Sequence, residues 1–317
     1  MADNILKEKI CVPPNQKVCR LDKFISEQYP TFSRSCWQKL IKNGEISVDN
    51  KIITSKNFKL LPNTVVEFTM PSQNSEIPLP TPEDIPLNSI YEDKDILVIN
   101  KPAGIIVHPG DGNPNGTIVN GLLQKYNESL NFGEIFEDKY RPGVVHRLDK
   151  ETSGALIIAK NEETLLKLKA MFKNREINKT YIALIHGFPQ KQFDTIKFSI
   201  DRHPVNRKKM AVSPDGKEAI THISLVQSAF IENQPVSILE VKIETGRTHQ
   251  IRVHLSKIGI PIIGDKLYGG FRKKPEADRQ MLHAWKIEFK HPMTGKTMRV
   301  TAPFPEDINM MIQKIHS

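Results

Sequence analysis

Cysteine is scarce in this chain: three residues in 317, Cys11, Cys19 and Cys36, all near the N-terminus. An odd number without C-x-x-C spacing argues against a disulfide framework, a zinc knuckle and dithiol redox chemistry, and predicts reduced thiols in a cytoplasmic protein. Long apolar runs are missing too. No stretch approaches the roughly 18 residues of a membrane span, and the opening MADNILKEKI lacks the apolar centre of a secretory leader. No membrane partner is therefore expected. Neither G-x-G-x-x-G nor a Walker loop occurs, which removes the usual signatures of a bound nucleotide cofactor.

What the chain does have is apolar mass and an excess of positive charge. Hydrophobic residues make up 38% of it, enough for a sizeable core. Lysine and arginine number 45 against 36 acids, a net charge of +9 that suits a polyanionic partner, nucleic acid first. Five prolines (71, 78, 80, 82 and 86) sit among Ser, Gln, Asn, Thr and Glu and cannot propagate a helix. They predict a linker over residues 73–88, between a small domain at 1–72 and a large one at 89–317.

In the small domain, Leu21, Phe24 and Ile25 fall at i, i+3, i+4, and Trp37, Leu40 and Ile41 repeat that spacing. Ser33 and Ser35 are candidate N-caps for the second helix and Gly44 its stop. Alternation at Ile46 and Val48, a turn at Asp49-Asn50-Lys51 and a run at 65–68 read as strands. Eleven basic residues oppose seven acids over residues 1–72.

Strand-like runs dominate the large domain, at 96–99, 144–145, 155–159, 180–185, 220–226 and 237–243. Helical patterns are fewer, at 117–126, 161–174 and 249–258, with Asn161 capping the second. Strands without regular helical crossovers predict an α+β fold: a mixed, largely antiparallel sheet with helices outside it.

The segment VVHRLDKETSG (144–154) runs an apolar pair into His146, Arg147 and Asp149, then into a turn-forming Thr152-Ser153-Gly154. Local hydroxyls and amides can hold the Asp149 carboxylate as a fixed anion at a strand end, a candidate nucleophile. A second charged segment, ETGRTHQIRVHL (244–255), places Arg252 on the flank of an apolar helix face, where it can pair with that carboxylate and orient it. On the residues alone, Asp149 serves equally to brace its own turn and Arg252 to form a structural ion pair. Two rival readings stay open: a noncatalytic RNA-binding factor, and a metal hydrolase on His146, Asp149, His249 and His254. The arginines beside those ligands and the lack of H-E-x-x-H argue against the metal.

The small-domain pattern RLDKFIS, SRSCWQKLIKNGEISVDNK and closing strand (18–70) resembles the S-four-type RNA-binding domain first described in a small-subunit ribosomal protein. The resemblance implies that Arg34, Lys39, Lys42 and Lys51 face phosphate. Across almost the whole chain, VINKPAGIIVHPG (98–110), HRLDKETSG (146–154), NKTYIALIHG (178–187), RHPVNRKKMAV (202–212), TGRTHQIRVHL (245–255), GDKLYGG (264–270) and LHAW (282–285) resemble the RluA family of RNA pseudouridine synthases, within it the ribosomal large-subunit synthase D branch. That likeness implies an isomerase without added cofactor or metal that detaches uracil from a chosen uridine, turns it and rejoins it through C5. It implies Asp149 as catalytic aspartate, Tyr181 stacked on the target base, Arg252 paired with the carboxylate, and Arg147 filling the space of the extruded nucleotide. The segment 201–217, with Arg202, Arg207, Lys208, Lys209 and Lys217, predicts a basic hairpin over RNA. Lys101-Pro102 reads as a structural junction near the cleft. The expected partner is large-subunit ribosomal RNA or a pre-ribosomal particle, met by a monomer.

Overall fold

The computed structural model describes residues 7–32, 34–55, 57–71, 79–110, 113–269 and 274–316. The chain divides into two units, Met1–Leu79 and Pro80–Ser317.

In the first unit, β1 (Lys7–Cys11), β2 (Cys19–Arg20), α1 (Leu21–Gln28) and α2 (Arg34–Lys42) precede β3 (Ile46–Val48), β4 (Lys51–Ile52), β5 (Lys59–Leu60) and β6 (Val65–Thr69). The sheet order is β1-β6-β3-β4, all antiparallel, and β2 pairs separately with β5. Val48 pairs with Lys51 across a two-residue loop in which Asp49 and Asn50 have φ of 48° and 65°, the left-handed pair that a twisted hairpin favours. The expected apolar spacing holds: Leu21, Phe24 and Ile25 of α1 and Trp37 and Ile41 of α2 are buried in one cluster with Val66 and Phe68 of β6. Trp37 lies 5.0 Å, centroid to centroid, from Phe68 in an edge-on contact. Because α2 starts at Arg34, Ser35 falls within the helix and not before it; Ser33 lies outside the described residues.

Asp22, in the first turn of α1, is wholly buried. Burial alone would raise its carboxyl, but hydrogen bonds from Arg34, Arg20 and Gln38 outweigh that and hold it at about 2.

The second unit contains β7 (Ser89–Glu92), β8 (Ile96–Lys101), α3 (Ile118–Leu130), β9 (Ser153–Ala159), α4 (Glu162–Lys173), β10 (Asn178–His186) and β11 (Phe193–Lys197). There follow β12 (Ile200–Arg202), β13 (Met210–Val212), β14 (Ile220–Ile231), β15 (Gln234–Ile243), α5 (Gln250–Lys257), β16 (Leu282–Lys290), β17 (Thr297–Thr301) and α6 (Glu306–His316). Nine strands form one sheet in the order β11-β14-β15-β10-β16-β9-β8-β7, with β17 on β16, while β12 and β13 make a separate hairpin. Among the described strands only β16 and β9 pair in parallel, so the predicted α+β class with a mixed, largely antiparallel sheet is the one observed. The helices α4 and α6 pack on β9 and on β14 and β15. All seven residues of β9 are buried, as expected of a central strand covered on both faces. Asn161 caps α4 by accepting from the Thr164 amide, and Thr117 caps α3.

Two expectations are corrected. Residues 80–88, assigned to the linker, belong to the second unit: Asn120 Nδ2 donates to Thr81 O at 2.8 Å and Glu83 N to Asn120 O at 3.1 Å. An extended proline-rich backbone leaves its carbonyls open to such a side chain. Residues 72–78, the rest of that stretch, lie outside the described residues. The strand expected at 144–145 is a single bridge, Val144 to Ile158. Beyond Gly154, β9 has lost β16, and residues 143–146 take up its edge: Gly143 O accepts from Ala159 N, and the His146 ring nitrogen Nε2 from Ile157 N at 2.9 Å. A side chain replaces backbone in the ladder, which ends the strand and releases the loop that carries Asp149.

Gly154 is where β9 meets β16. Its φ is +118°, and a Cβ would lie 2.2 Å from the Ala284 carbonyl oxygen, so only glycine fits this close approach. Among the described residues no helix is long and apolar enough to cross a membrane.

Candidate active site

The loop from Asp149 to Ser153 is held from several directions. Lys101, wholly buried, donates from Nζ to the carbonyls of Pro102, Ile105 and Lys150 at 2.7, 2.8 and 3.1 Å. Burial pulls this lysine down to about 7, against the raising influence of Glu151 and Asp149. Arg279 Nη1 donates to Glu151 O at 3.0 Å, while its Nε and Nη2 bind Asp307 of α6. Thr152 and Ser153 were expected to hold the carboxylate; both are buried and turned elsewhere. Thr152 Oγ1 accepts from Gln280 Nε2 and Ser153 Oγ pairs with His283 Nδ1. Hydroxyls that close a loop against β16 are spent on that closure, and the carboxylate is left for a partner from another element.

That partner is Arg252 of α5, whose Nη1 donates to Asp149 Oδ2 at 3.0 Å. Its Nε and Nη2 donate to Asp265 Oδ2 and Oδ1 at 2.8 and 2.9 Å, so one planar guanidinium bridges two carboxylates. Burial alone would lower the guanidinium; the bonds and charges of Asp265 and Asp149 outweigh it and keep it above its usual value. Asp265 is itself fixed by the amides of Leu267 and Tyr268. The Tyr268 ring lies 5.0 Å from the Arg252 guanidinium carbon.

Arg147, Leu148, Asp149, Tyr181, His249 and Arg252 line one cleft of about 100 Å³. Tyr181 comes from β10, beside the register break between Thr180 and Tyr181, the kind of irregularity that re-aims a side chain. Burial pushes its phenol up, and the charge of Asp149 adds to this, so the hydroxyl keeps its proton at neutral pH. Arg147 is exposed at the mouth. Arg147 and Asp149 from one loop, Tyr181 from β10 and Arg252 from α5 thus meet at one place.

The other expected contacts are distributed. Arg202, Arg207 and Lys208 are exposed on the β12–β13 hairpin and make no ion pair among the described residues. Lys209 sits 5.8 Å from the Tyr268 ring, and Lys217 lies beyond the hairpin, its amide bonded to Ile200 O. In the first unit, Lys39, Lys42 and Lys51 are exposed, whereas Arg34 spends Nε and Nη2 on Asp22. The four residues of the zinc reading do not share a centre. His146 Nε2 accepts a backbone N–H and faces the Phe172 ring at 4.6 Å, and both nitrogens of His254 are bonded, to Thr221 Oγ1 and Phe198 O. Among the described residues, Asp93, Asp95 and His291 come close enough to share a cation. There, His291 Nδ1 accepts from the amides of Met293 and Thr294, so the proton sits on Nε2 and is donated to Asp93.

Sequence reading passed over Asp265, Tyr268 and Arg279. The first two stand in GDKLYGG, a motif whose family likeness implies no task for either; Arg279 lies in no motif and carried no signal.

Two histidines beside β9, His146 and His283, make the fold acid-sensitive. Burial, with Lys179, pulls His146 down to about 3, and burial pulls His283 to about 4. Both folded values lie below the ordinary 6.5, so the unfolded chain takes up protons that the folded chain refuses. The stability they represent is complete above 6.5 and is lost as pH falls toward 4 and below. Urea melts at pH 7 and pH 4.5 should differ by on the order of a few kcal/mol, and His146→Gln, whose amide oxygen can accept the Ile157 N–H without titrating, should shrink that difference. An unchanged difference would exclude His146 as its source.

The RNA pseudouridylate synthase family model matches residues 95–257, the stretch that holds all four cleft residues, and the S4 domain model matches 19–66. The ribosomal large subunit pseudouridine synthase D of Xanthomonas campestris pv. campestris is 38% identical over 99% of this chain and 93% of its own length. An uncharacterized RNA pseudouridine synthase of Bacillus subtilis, YlyB, is 37% identical over 96% of this chain and 97% of its own. Among solved structures, human RNA pseudouridylate synthase domain containing 1 superposes with a TM-score of 0.54 at 25% identity, over 74% of this chain and 96% of that one. The chain therefore belongs to the RNA pseudouridylate synthase family and is an isomerase that acts on RNA.

Proposed function

We propose that this protein isomerises particular uridines of large-subunit ribosomal RNA, with Asp149 as the catalytic group. The observation that carries the reading is one cleft shared by Asp149, Arg252 and Tyr181, with the carboxylate bonded to the guanidinium at 3.0 Å. In the reaction the N1–C1′ bond breaks, a C5–C1′ bond forms, the C5 hydrogen leaves as a proton and N1 gains one, with no net oxidation. Asp149 acts on the ribose, as nucleophile or as base; Arg252 orients it, Tyr181 stacks on the uracil, and Arg147 takes the place of the extruded nucleotide. The base must leave its stack for the glycosidic bond to be reached, at a cost of a few kcal/mol that a stacking ring and a placeholder offset. The target class is supported by the Xanthomonas relative, which is named a ribosomal large subunit pseudouridine synthase D. The hairpin cations Arg202, Arg207 and Lys208 and the first-unit cations Lys39 and Lys42 supply salt-dependent phosphate contacts. Arg34 contributes less, because its guanidinium already serves Asp22. No cofactor enters this scheme, and a single chain suffices for it.

Pseudouridine mapping of ribosomal RNA from a deletion strain tests the assignment. Loss at defined large-subunit positions, restored by the wild-type gene and not by Asp149→Asn, is the expected result. An unchanged large-subunit map would overturn the target class, and loss confined to transfer RNA would replace it.

A further inference from the structure

A chain of two hydrogen bonds and one longer polar contact joins the basic hairpin to the Asp149 carboxylate. The Met210 amide on β13 donates to the Tyr268 hydroxyl oxygen at 2.7 Å. That oxygen lies 2.8 Å from His249 Nδ1, and His249 Nε2 lies 3.8 Å from Asp149 Oδ2. His249 precedes α5 with φ 56° and ψ 19°, a left-handed conformation that histidine and asparagine adopt more readily than most residues. Three residues later, Arg252 Nη1 reaches the same Oδ2.

Proton accounting gives the chain a direction. The Met210 amide proton occupies one lone pair of the phenolic oxygen, so the hydroxyl's own proton is available to His249 Nδ1. An Nδ1 that accepts leaves the remaining ring proton on Nε2, aimed at the carboxylate. Among the described residues Oδ1 of Asp149 receives no hydrogen bond, while Oδ2 accepts from Arg252 at 3.0 Å and has His249 Nε2 at 3.8 Å, beyond hydrogen-bond distance.

We propose that His249, oriented by Tyr268, is a positioning residue that together with Arg252 claims Oδ2 and so reserves Oδ1 of Asp149 as the oxygen that meets the ribose. The inference rests on the reading of Asp149 given above. The 3.8 Å separation closes when the nucleotide enters and drives water out, as catalytic hydrogen bonds commonly shorten on substrate binding. The charged and titratable groups that face the ring are Asp149, Arg252, Asp265, Arg147 and Tyr268. Burial lowers its pKa first, and the carboxylates oppose this while the arginines assist, so the ring is neutral at pH 7. Below its pKa a proton on Nδ1 sets a second donor against Tyr268 and turns the hydroxyl away.

Single-turnover and steady-state assays on ribosomal RNA carrying 5-tritiated uridine, with the full-length chain, test this. Asparagine at 249 keeps the left-handed backbone but is too short to reach Asp149, whereas glutamine carries an N–H to about the position of Nε2. His249→Asn should lower kcat by on the order of 10- to 100-fold, with KM and melting temperature near those of the wild type, and His249→Gln should recover most of the loss. Wild type should also slow on the acid side as His249 protonates, and His249→Gln should lack that limb. Tyr268→Phe should slow kcat, and the double variant with His249→Asn should be no slower than His249→Asn alone, because both act through one chain. Glutamine as slow as asparagine, strictly additive losses, or a loss seen only in KM and melting temperature would overturn the proposal. If Asp149→Asn is inactive while His249→Asn keeps wild-type kcat, this inference alone fails; if Asp149→Asn itself turns over, the reading beneath it fails as well.

Discussion

Asp149→Asn should reduce tritium release from 5-tritiated uridine RNA by roughly 10⁴-fold or more, the scale on which a nucleophile or general base is lost. The substitution keeps the shape of the side chain and removes its charge. Arg252 retains the buried carboxylate of Asp265, which takes two of its three donated bonds, so no uncompensated cation is left behind. The stability change should accordingly stay within about 1 kcal/mol, and RNA affinity, set mainly by exposed cations, should hold. A filter-binding curve and a melting curve that match wild type, beside an absence of turnover, are the expected set. Turnover within tenfold of wild type would remove Asp149 from the chemistry.

Arg252→Met should have the other large effect, on stability and activity together. Asp265 is buried with its side chain fully enclosed, and it loses the guanidinium that neutralises it. Removing one partner of a buried pair costs about 3–5 kcal/mol, because a charge remains where water cannot reach it. For a unit of this length that corresponds to a fall in melting temperature of roughly 6–20 °C. Adding Asp265→Asn should recover much of the stability, since the stranded charge is gone, and none of the activity, since Asp149 still lacks its orienting partner. Calorimetry and tritium release on the two variants separate the roles. If the double variant melted as low as the single one, the buried charge would not be the cause; if it turned over, Arg252 would not orient the carboxylate.

Local rules were legible where neighbours in sequence are neighbours in space. Asn161 before Glu162 and Glu163 marked the start of α4, and the helix begins there. Asp49-Asn50-Lys51 marked a turn, and the loop is Asp49-Asn50, both with positive φ, with Lys51 already in β4. Strands rich in Val and Ile without helical crossovers implied a mixed, mainly antiparallel sheet, and the nine-stranded sheet has that form. Where a distant element competes, the same rules misread the chain. Val144-Val145 has the composition of a strand, yet His146 supplies the pairing to β9 in its place. Thr152 and Ser153 have the chemistry to hold a carboxylate, yet Gln280 and His283 claim them first.

By itself the sequence determined the class of the larger fold and the absence of nucleotide-binding loops, set the expectation of two parts, and marked Asp149 and Arg252 by their charged segments, while the resemblance of its motifs to a known family added Arg147 and Tyr181. Composition, periodicity and short motifs carry that much because each is a property of residues adjacent in the chain. Only the tertiary structure decided that Asp265 clamps Arg252, that Lys101 and Arg279 pin the loop behind Asp149, and that Tyr268 and His249 stand between the hairpin and the carboxylate. Orientation at a site depends on donors and acceptors brought together from separate segments, 103 residues apart for Arg252 and Asp149, and no pattern confined to one segment records which of them will meet.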